Sequence, residues 1–362
     1  MNRYNRHIIL SEIGQTGQEK LLNAKVLVVG AGGLGCPVLQ YLAAAGIGTL
    51  GIIDFDVVET SNLQRQVLFG TSCLGQNKAE AAKKRLEDLN DEISIIAYPE
   101  KLTYQNAIDL FKQFDIIVDG SDNFETRYLV NDACIITNKP LVFAAIYKFE
   151  GQVSVFNYEN GPSYRCLFPN SPKKDAVPNC SEMGVLGVLP GIVGSMQANE
   201  VLKIILGIGN VLSGKLLCYN ALNSQTFILR INKSETEIAK VLKEQSDFHK
   251  KQLIENCDFI TSEISIKDIS TFENMQFIDV RELHELPKIE SIHITSIPLS
   301  ELENSINKID TEKQKVVFCQ SGIRSKQAVS ILNKANIKNC YSLKEGVEQI
   351  IDAYEVLKTS QN

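Results

Sequence analysis

The chain has 362 residues, enough for roughly two or three domains, each able to bury its own core. Its 44% hydrophobic and 22% charged content excludes a wholly disordered, collagen-like or fibrous chain. A net charge of −6, from 37 basic and 43 acidic residues, gives no electrostatic reason to expect a nucleic-acid or membrane-surface partner. The nine cysteines are odd in number and none forms a Cys-x-x-Cys pair, which speaks against a disulfide framework and against a structural zinc site.

The N-terminus is polar, and its apolar run from Ile8 to Leu10 is too short for a secretory signal core, so the expected compartment is the cytoplasm. Lys25 to Val29 reads as a strand that ends in glycines, Leu34 to Ala45 as a helix stopped by Gly46 and Gly48, and Thr49 to Asp54 as the next strand. Lys78 to Asn90 reads as a charged surface helix, Ile93 to Ala97 as a strand, and Phe114 to Asp119 as a buried strand. This alternation predicts an α/β fold: a Rossmann-like, mainly parallel sheet with helices on both faces. The apolar stretch from Gly184 to Gly209 is interrupted by Pro190, Gln197, Asn199, Glu200 and Lys203, so it reads as a buried loop and helix rather than a membrane span. Residues 233–262 read as a charged helix and linker. A second, smaller α/β pattern follows over 263–362, with strands at Phe277 to Val280 and Lys315 to Cys319.

Gly30-Ala-Gly-Gly-Leu-Gly35 satisfies G-x-G-x-x-G directly after a strand and before a helix. Gly30 permits the tight turn, Gly32 and its neighbour Gly33 let backbone N–H groups approach phosphate, and Gly35 allows close helix packing. Asp54, at the end of the second strand, can accept hydrogen bonds from ribose hydroxyls. Taken alone, this fingerprint favours a nicotinamide- or flavin-dependent oxidoreductase, and a glycine turn that binds nothing is the bland alternative. The groups that follow argue otherwise. Arg65 and Lys78 can neutralise phosphate oxygens, and Asp122 can hold a Mg²⁺ that bridges them, a set suited to a triphosphate and unnecessary for hydride transfer.

These blocks, from Arg3-Tyr-Asn-Arg6 to about Arg230, resemble the adenylating enzymes of MoeB and ThiF type that activate ubiquitin-like sulfur carriers and are related to ubiquitin-activating enzymes. The resemblance implies ATP and Mg²⁺, and a reaction in which the carrier's C-terminal Gly-Gly carboxylate attacks the α-phosphate. It implies that Asp54 holds the ribose, that Asn62, Arg65 and Lys78 hold the phosphates, and that Asp122 is the Mg²⁺ ligand. It further implies a homodimer in which Arg6 reaches the triphosphate of the other subunit. Relatives with a structural zinc use two Cys-x-x-Cys pairs. Here the first position reads Ser163-Tyr-Arg-Cys166, so no zinc site is expected, and Cys166 is expected to be structural. Cys180 lies in the loop that, in relatives, crosses the active site and can form a thioester or persulfide link to the carrier. A lone cysteine is otherwise more often inert.

The C-terminal blocks Phe277-Ile-Asp-Val-Arg-Glu282, Val316 to Ser325 and Leu343-Lys-Glu-Gly346 resemble the rhodanese family over about residues 263 to 357. Cys319 follows a strand and precedes a helix, where backbone N–H groups and the helix N-terminus favour a thiolate or persulfide anion. Arg324 supplies a cation for a persulfide or thiosulfate donor. Asp279 and Arg281 read as a structural pair that orders the loop. The combined pattern resembles fused adenylyltransferase and sulfurtransferase proteins of molybdopterin synthesis. The thiamine-pathway carrier and a tRNA-thiolation modifier remain open as cargo, and a non-catalytic module that binds a ubiquitin-like partner is the reading from another class.

Overall fold

The computed structural model describes residues 3–171, 184–251 and 263–351, apart from 270–274, 284, 289–293, 321, 336, 348 and 349. The chain divides into two compact units, Met1–Gln252 and Leu253–Asn362.

In the first unit, short helices α1 (Asn5–Ile8) and α2 (Gly14–Asn23) precede β1 (Lys25–Val29), α3 (Gly35–Ala45) and β2 (Thr49–Ile53). Then come α4 (Lys78–Leu89), β3 (Ser94–Tyr98), α5 (Ala107–Phe111), β4 (Ile116–Asp119) and α6 (Phe124–Thr137). β5 (Leu141–Tyr147), β6 (Glu150–Phe156), α7 (Tyr164–Leu167), α8 (Val188–Leu206), β7 (Lys215–Asn220), β8 (Gln225–Arg230) and α9 (Glu235–Lys243) complete it. Eight strands form one sheet in the order β3-β2-β1-β4-β5-β6-β7-β8. The first five are parallel, and β6, β7 and β8 continue antiparallel.

The central strands β1 and β4 read as short apolar runs because both faces are covered. On β1, Val26 and Val28 enter one core while Leu27 and Val29 enter the other; on β4, Ile116 and Val118 divide from Ile117 in the same way. Helix α8 is apolar enough to lie under the sheet, and its polar residues are absorbed locally. Glu200, 3% exposed, accepts from Leu212 N and pairs with Lys203. Among the described residues no helix is long and apolar enough to cross a membrane.

The charged stretch after residue 232 is not uniform. Ser234 caps α9 by accepting from Glu237 N, and Phe248 is buried edge-on against Tyr104 with ring centroids 5.0 Å apart. Lys251 reaches the buried Asp132, which Arg165 holds through two hydrogen bonds. Residues 234–251 therefore pack on the first unit, through contacts that composition alone does not reveal.

The second unit contains β9 (Glu263–Ile264), β10 (Met275–Asp279), β11 (Ile294–Ser296), β12 (Gln314–Phe318), α10 (Ile323–Lys334) and β13 (Cys340–Leu343). Its five strands are all parallel, in the order β11-β10-β12-β13-β9. Here too side chains alternate between two cores: Ile278 and Val317 on one face, Phe277, Val316 and Phe318 on the other.

Candidate functional site

Strand order reverses direction at β1 and β4, and in open α/β sheets the crevice beyond the strand ends at such a switch point is where ligands sit. The glycine turn lies there. Gly30 adopts φ +89°, which side chains disfavour, and a Cβ on it would meet Gly120 O at 3.0 Å. A Cβ on Gly35 would stand 1.9 Å from Gly30 O, so this glycine is required by the packing of α3 against the turn. Gly32 differs. A Cβ there meets only Gln66 Nε2, at 3.8 Å, so the protein leaves room at Gly32 for something else.

That room belongs to a cavity of about 370 Å³, within the range of small-molecule sites. Gly30, Gly32, Gly33, Asp54, Arg65, Lys78 and Asp122 all line it. Asp54 is aimed by two backbone donors, accepting from Ala31 N through Oδ2 and from Asp56 N through Oδ1, both at 2.8 Å. Burial raises its pKa above the usual carboxylate value, against the opposing pull of those N–H groups. Lys78 opens α4, whose cap is Asn77 accepting from Ala79 N and Glu80 N. The Lys78 side chain is only 8% exposed and its Nζ lies 3.2 Å from Asp56 Oδ2, so this residue of a surface helix faces inward. Arg65 is held by donating from Nη1 to Ser61 O at 3.0 Å. Asp122 is exposed at the cavity edge, between the end of β4 and the Asn123 cap of α6.

Three expected residues do not line this cavity within the chain: Gly35, which serves the packing of α3, Asn62 and Arg6. Asn62 is buried and closes a local turn, its Oδ1 accepting from Glu59 N. Arg6 lies on α1, and the segment around it is anchored: Arg3 pairs with Asp91, and the buried Tyr4 accepts from Asn90 through its hydroxyl at 2.9 Å. Arg6 itself is exposed. Cys180 lies outside the described residues; Gly184 and Val185 line the cavity.

Sequence reasoning missed Gln64, Gln66 and Arg127, which also line the cavity. Arg127 is buried against the rings of Phe124 and Phe143, and its Nε has no hydrogen-bond partner among the described residues. Its position four residues after the Asn123 cap, one helical turn on, was the available signal. Asp119 at the end of β4 is fully buried, with Oδ1 accepting from Ser121 and Oδ2 without a hydrogen-bond partner among the described residues; burial raises its pKa.

The open space at Gly32, the cations Arg65, Lys78 and Arg127, and the exposed carboxylate of Asp122 at the edge fit a nucleotide triphosphate with Mg²⁺, which takes one or two protein carboxylates and otherwise phosphate and water. Cys166 Sγ accepts from Ser163 N at 3.3 Å and from Ser234 N at 3.2 Å, tying α7 to the cap of α9. Among the described residues there is no group of three or more His, Cys, Asp or Glu arranged for a metal.

In the second unit Cys319 directly follows β12 and is fully buried. Its Sγ stands 3.9 Å from Ser325 Oγ, which donates to Gly322 O and is 2.8 Å from Ser342 Oγ. Gly322 turns the loop into α10 with φ +80°. Asp279 and Arg281 form a buried pair with Oδ2 2.7 Å from Nη2, and Arg281 also donates to Pro287 O. Arg324 at the start of α10 is bound by Glu285.

Glycine turn, triphosphate-sized cavity and cysteine loop define a nucleotide-binding α/β unit followed by a small parallel α/β unit with a cysteine at a strand end. The ThiF family model matches residues 4–240 and the rhodanese-like domain model matches residues 265–353. The chain belongs to the ThiF family and carries a rhodanese-like domain: it is an adenylyltransferase joined to a sulfurtransferase. It is 55% identical over 229 residues to a sulfur carrier protein adenylyltransferase of Thermus thermophilus, covering 62% of this chain and 84% of that one. It is 39% identical over 367 residues to the probable adenylyltransferase/sulfurtransferase MoeZ of Mycobacterium tuberculosis, covering 95% and 91%. It is 40% identical over 363 residues to the adenylyltransferase and sulfurtransferase MOCS3 of Xenopus laevis, covering 91% and 80%. Among solved structures it resembles E. coli MccB with ATP, at TM-score 0.56 and 27% identity over 65% of this chain and 73% of that chain.

Proposed function

We propose that the first unit uses ATP to adenylate the C-terminal glycine of a small ubiquitin-like sulfur-carrier protein, and that Cys319 then delivers sulfur to make a thiocarboxylate. The observation that carries this reading is the convergence of Gly32, Asp54, Arg65, Lys78 and Asp122 on one cavity in a chain that also holds the Cys319 loop. A carboxylate oxygen attacks the α-phosphorus, the bond to the β-phosphate breaks, and pyrophosphate leaves with the electron pair. Arg65 and Lys78 offset the repulsion between the two anions, and Asp54 orients the nucleotide through its ribose. Asp122 would hold Mg²⁺, which supplies further charge neutralisation at the phosphates.

The adenylate turns a carboxylate oxygen into a leaving group. The outer sulfur of a Cys319 persulfide attacks the carbonyl carbon and AMP departs; an external thiol then cleaves the S–S bond of the acyl disulfide and releases the thiocarboxylate. Because Cys319 Sγ is buried, the persulfide is the form that carries reactive sulfur outward, by about 2 Å. In the variant of this route that uses Cys180, its thiolate attacks the adenylate and AMP leaves at that step, and the Cys319 persulfide then displaces the Cys180 thiolate from the resulting thioester.

The exposed Arg6, on a segment anchored by Arg3 and Tyr4, fits delivery into the cavity of a second copy, so the working unit is a homodimer in the cytoplasm. We assign the molybdopterin synthase small subunit as the carrier, with the thiamine and tRNA-thiolation carriers as the competing cargo, and a persulfide or thiosulfate as the sulfur source. The chain is expected to work without zinc, and metal analysis finding one zinc per chain would overturn that. The central test is ATP–pyrophosphate exchange that depends on added carrier, with Cys319→Ser retaining the exchange and losing thiocarboxylate formation. No exchange with any of the three carriers refutes the reading.

A further inference from the structure

The cation of the sulfur-transfer loop is already engaged by a carboxylate. Arg324 Nη1 and Nη2 donate to Glu285 Oε1 and Oε2 at 2.5 and 2.8 Å. The two side chains are 17% and 23% exposed, so the pair is partly shielded from water. The guanidinium holds the Glu285 carboxyl down at about 2, well below the usual carboxylate range.

Glu285 is presented by a turn built to hold it. Its N–H donates to Glu282 O at 3.0 Å, and Glu282 N donates back to Glu285 Oε1 at 2.8 Å. Arg281, fixed to Asp279, anchors the far end of the turn by donating to Pro287 O at 2.9 Å. Two guanidinium groups and two carboxylates thus offset each other beside the Cys319 loop.

That balance matters for the donor. With thiosulfate, a bond forms between Cys319 Sγ and the outer sulfur, the S–S bond breaks, and sulfite leaves with the electron pair. A thiolate must meet a dianion, and an uncompensated positive charge beside the loop offsets their repulsion beyond what the backbone N–H groups supply. With a donor persulfide the same sulfur is transferred and a thiolate leaves, so no dianion approaches.

We propose that Glu285 is a donor-specificity residue, neutralising Arg324 so that the loop discriminates against dianionic sulfur donors in favour of donors of lower charge. The proposal rests on the reading of Cys319 as the sulfur carrier.

The test is sulfur transfer to cyanide by the full-length protein at low ionic strength, comparing thiosulfate, a dianion, with methanethiosulfonate, a monoanion. Glu285→Gln lowers the ratio of the thiosulfate KM to the methanethiosulfonate KM by about tenfold, and Glu285→Ala moves it the same way should the first variant fold poorly. Glu285→Asp, which keeps the charge, leaves the ratio near that of the unmodified protein. Salt at about 0.5 M shrinks the difference between the Gln variant and the parent. An unchanged ratio, or an equal loss with both donors, overturns the proposal and leaves Glu285 a positioning residue. Transfer that survives Cys319→Ser overturns the Cys319 reading instead, a separate outcome.

Discussion

Substituting Gly32 by alanine separates a glycine required by a ligand from one required by the protein. The new methyl group meets only Gln66 Nε2 at 3.8 Å, ordinary contact, and Gly32 does not occupy the left-handed region. Loss of glycine's freedom in the unfolded chain then favours the folded state by about 0.4–1 kcal/mol, so the melting temperature holds or rises slightly. The same methyl group projects into the cavity, between phosphate oxygens and the backbone donors meant for them. Losing one hydrogen bond to a charged group costs about 1.5–3 kcal/mol, which is roughly a 10- to 150-fold weakening of ATP binding. The control is Gly35→Ala, whose Cβ would lie 1.9 Å from Gly30 O and 2.9 Å from Gly30 C. Both obstacles are backbone, so relief requires opening the turn between β1 and α3, and the expected loss is about 3 kcal/mol or more. Calorimetric titration with ATP and Mg²⁺, paired with thermal unfolding, reads both effects. A Gly32→Ala protein that binds ATP as tightly as the parent would refute the assignment of this turn to phosphate.

Lys78→Met removes a charge that faces the cavity while keeping an apolar stem of similar length, and carrier-dependent exchange should fall by about 10²–10³-fold. Its partner Asp56 is half exposed, so the melting temperature should move little. For Arg6, mixing Arg6→Ala with Lys78→Ala subunits should restore about a quarter of the parent exchange, because half the dimers are mixed and each mixed dimer has one intact site. Monomeric protein, or no recovery after subunit exchange, would exclude the shared site. The folded pKa of Glu285 is lowered to about 2 from an ordinary 4.5, so its pairing stabilises the second unit above pH 4.5 and that contribution disappears as the pH falls toward 2. The stability difference between the parent and Glu285→Gln, measured by thermal unfolding, should therefore be larger at about pH 6 than at about pH 3.

The features legible in the sequence are those whose physics is local. Gly35 sits five residues from Gly30 O, the atom that demands glycine there, Gly30 carries the positive φ of the turn itself, and Cys319 and Arg324 flank one short strand-to-helix loop. Asp279 and Arg281 are two positions apart and find each other across a single turn. Unbroken apolar runs in β1 and β4 announce strands covered on both faces. Site chemistry depending on distant partners was decided by tertiary structure. Lys78 reads as a phosphate cation from its order after the glycine turn, but its burial and its pairing with Asp56 arise only when the Asp54–Asp56 loop is laid across the start of α4. Asn62, expected at the phosphates, spends its side chain on the turn beside it, and Gln66 and Arg127 enter the cavity from separate segments. Glu285 meets Arg324 across 39 residues, and residues 234–251 join the first unit through Phe248 and Lys251. Hydrophobic period and turn chemistry determine which face of an element is buried. Which charges then become neighbours depends on how the elements pack, because an ion pair or a cavity wall is made by groups far apart in the chain.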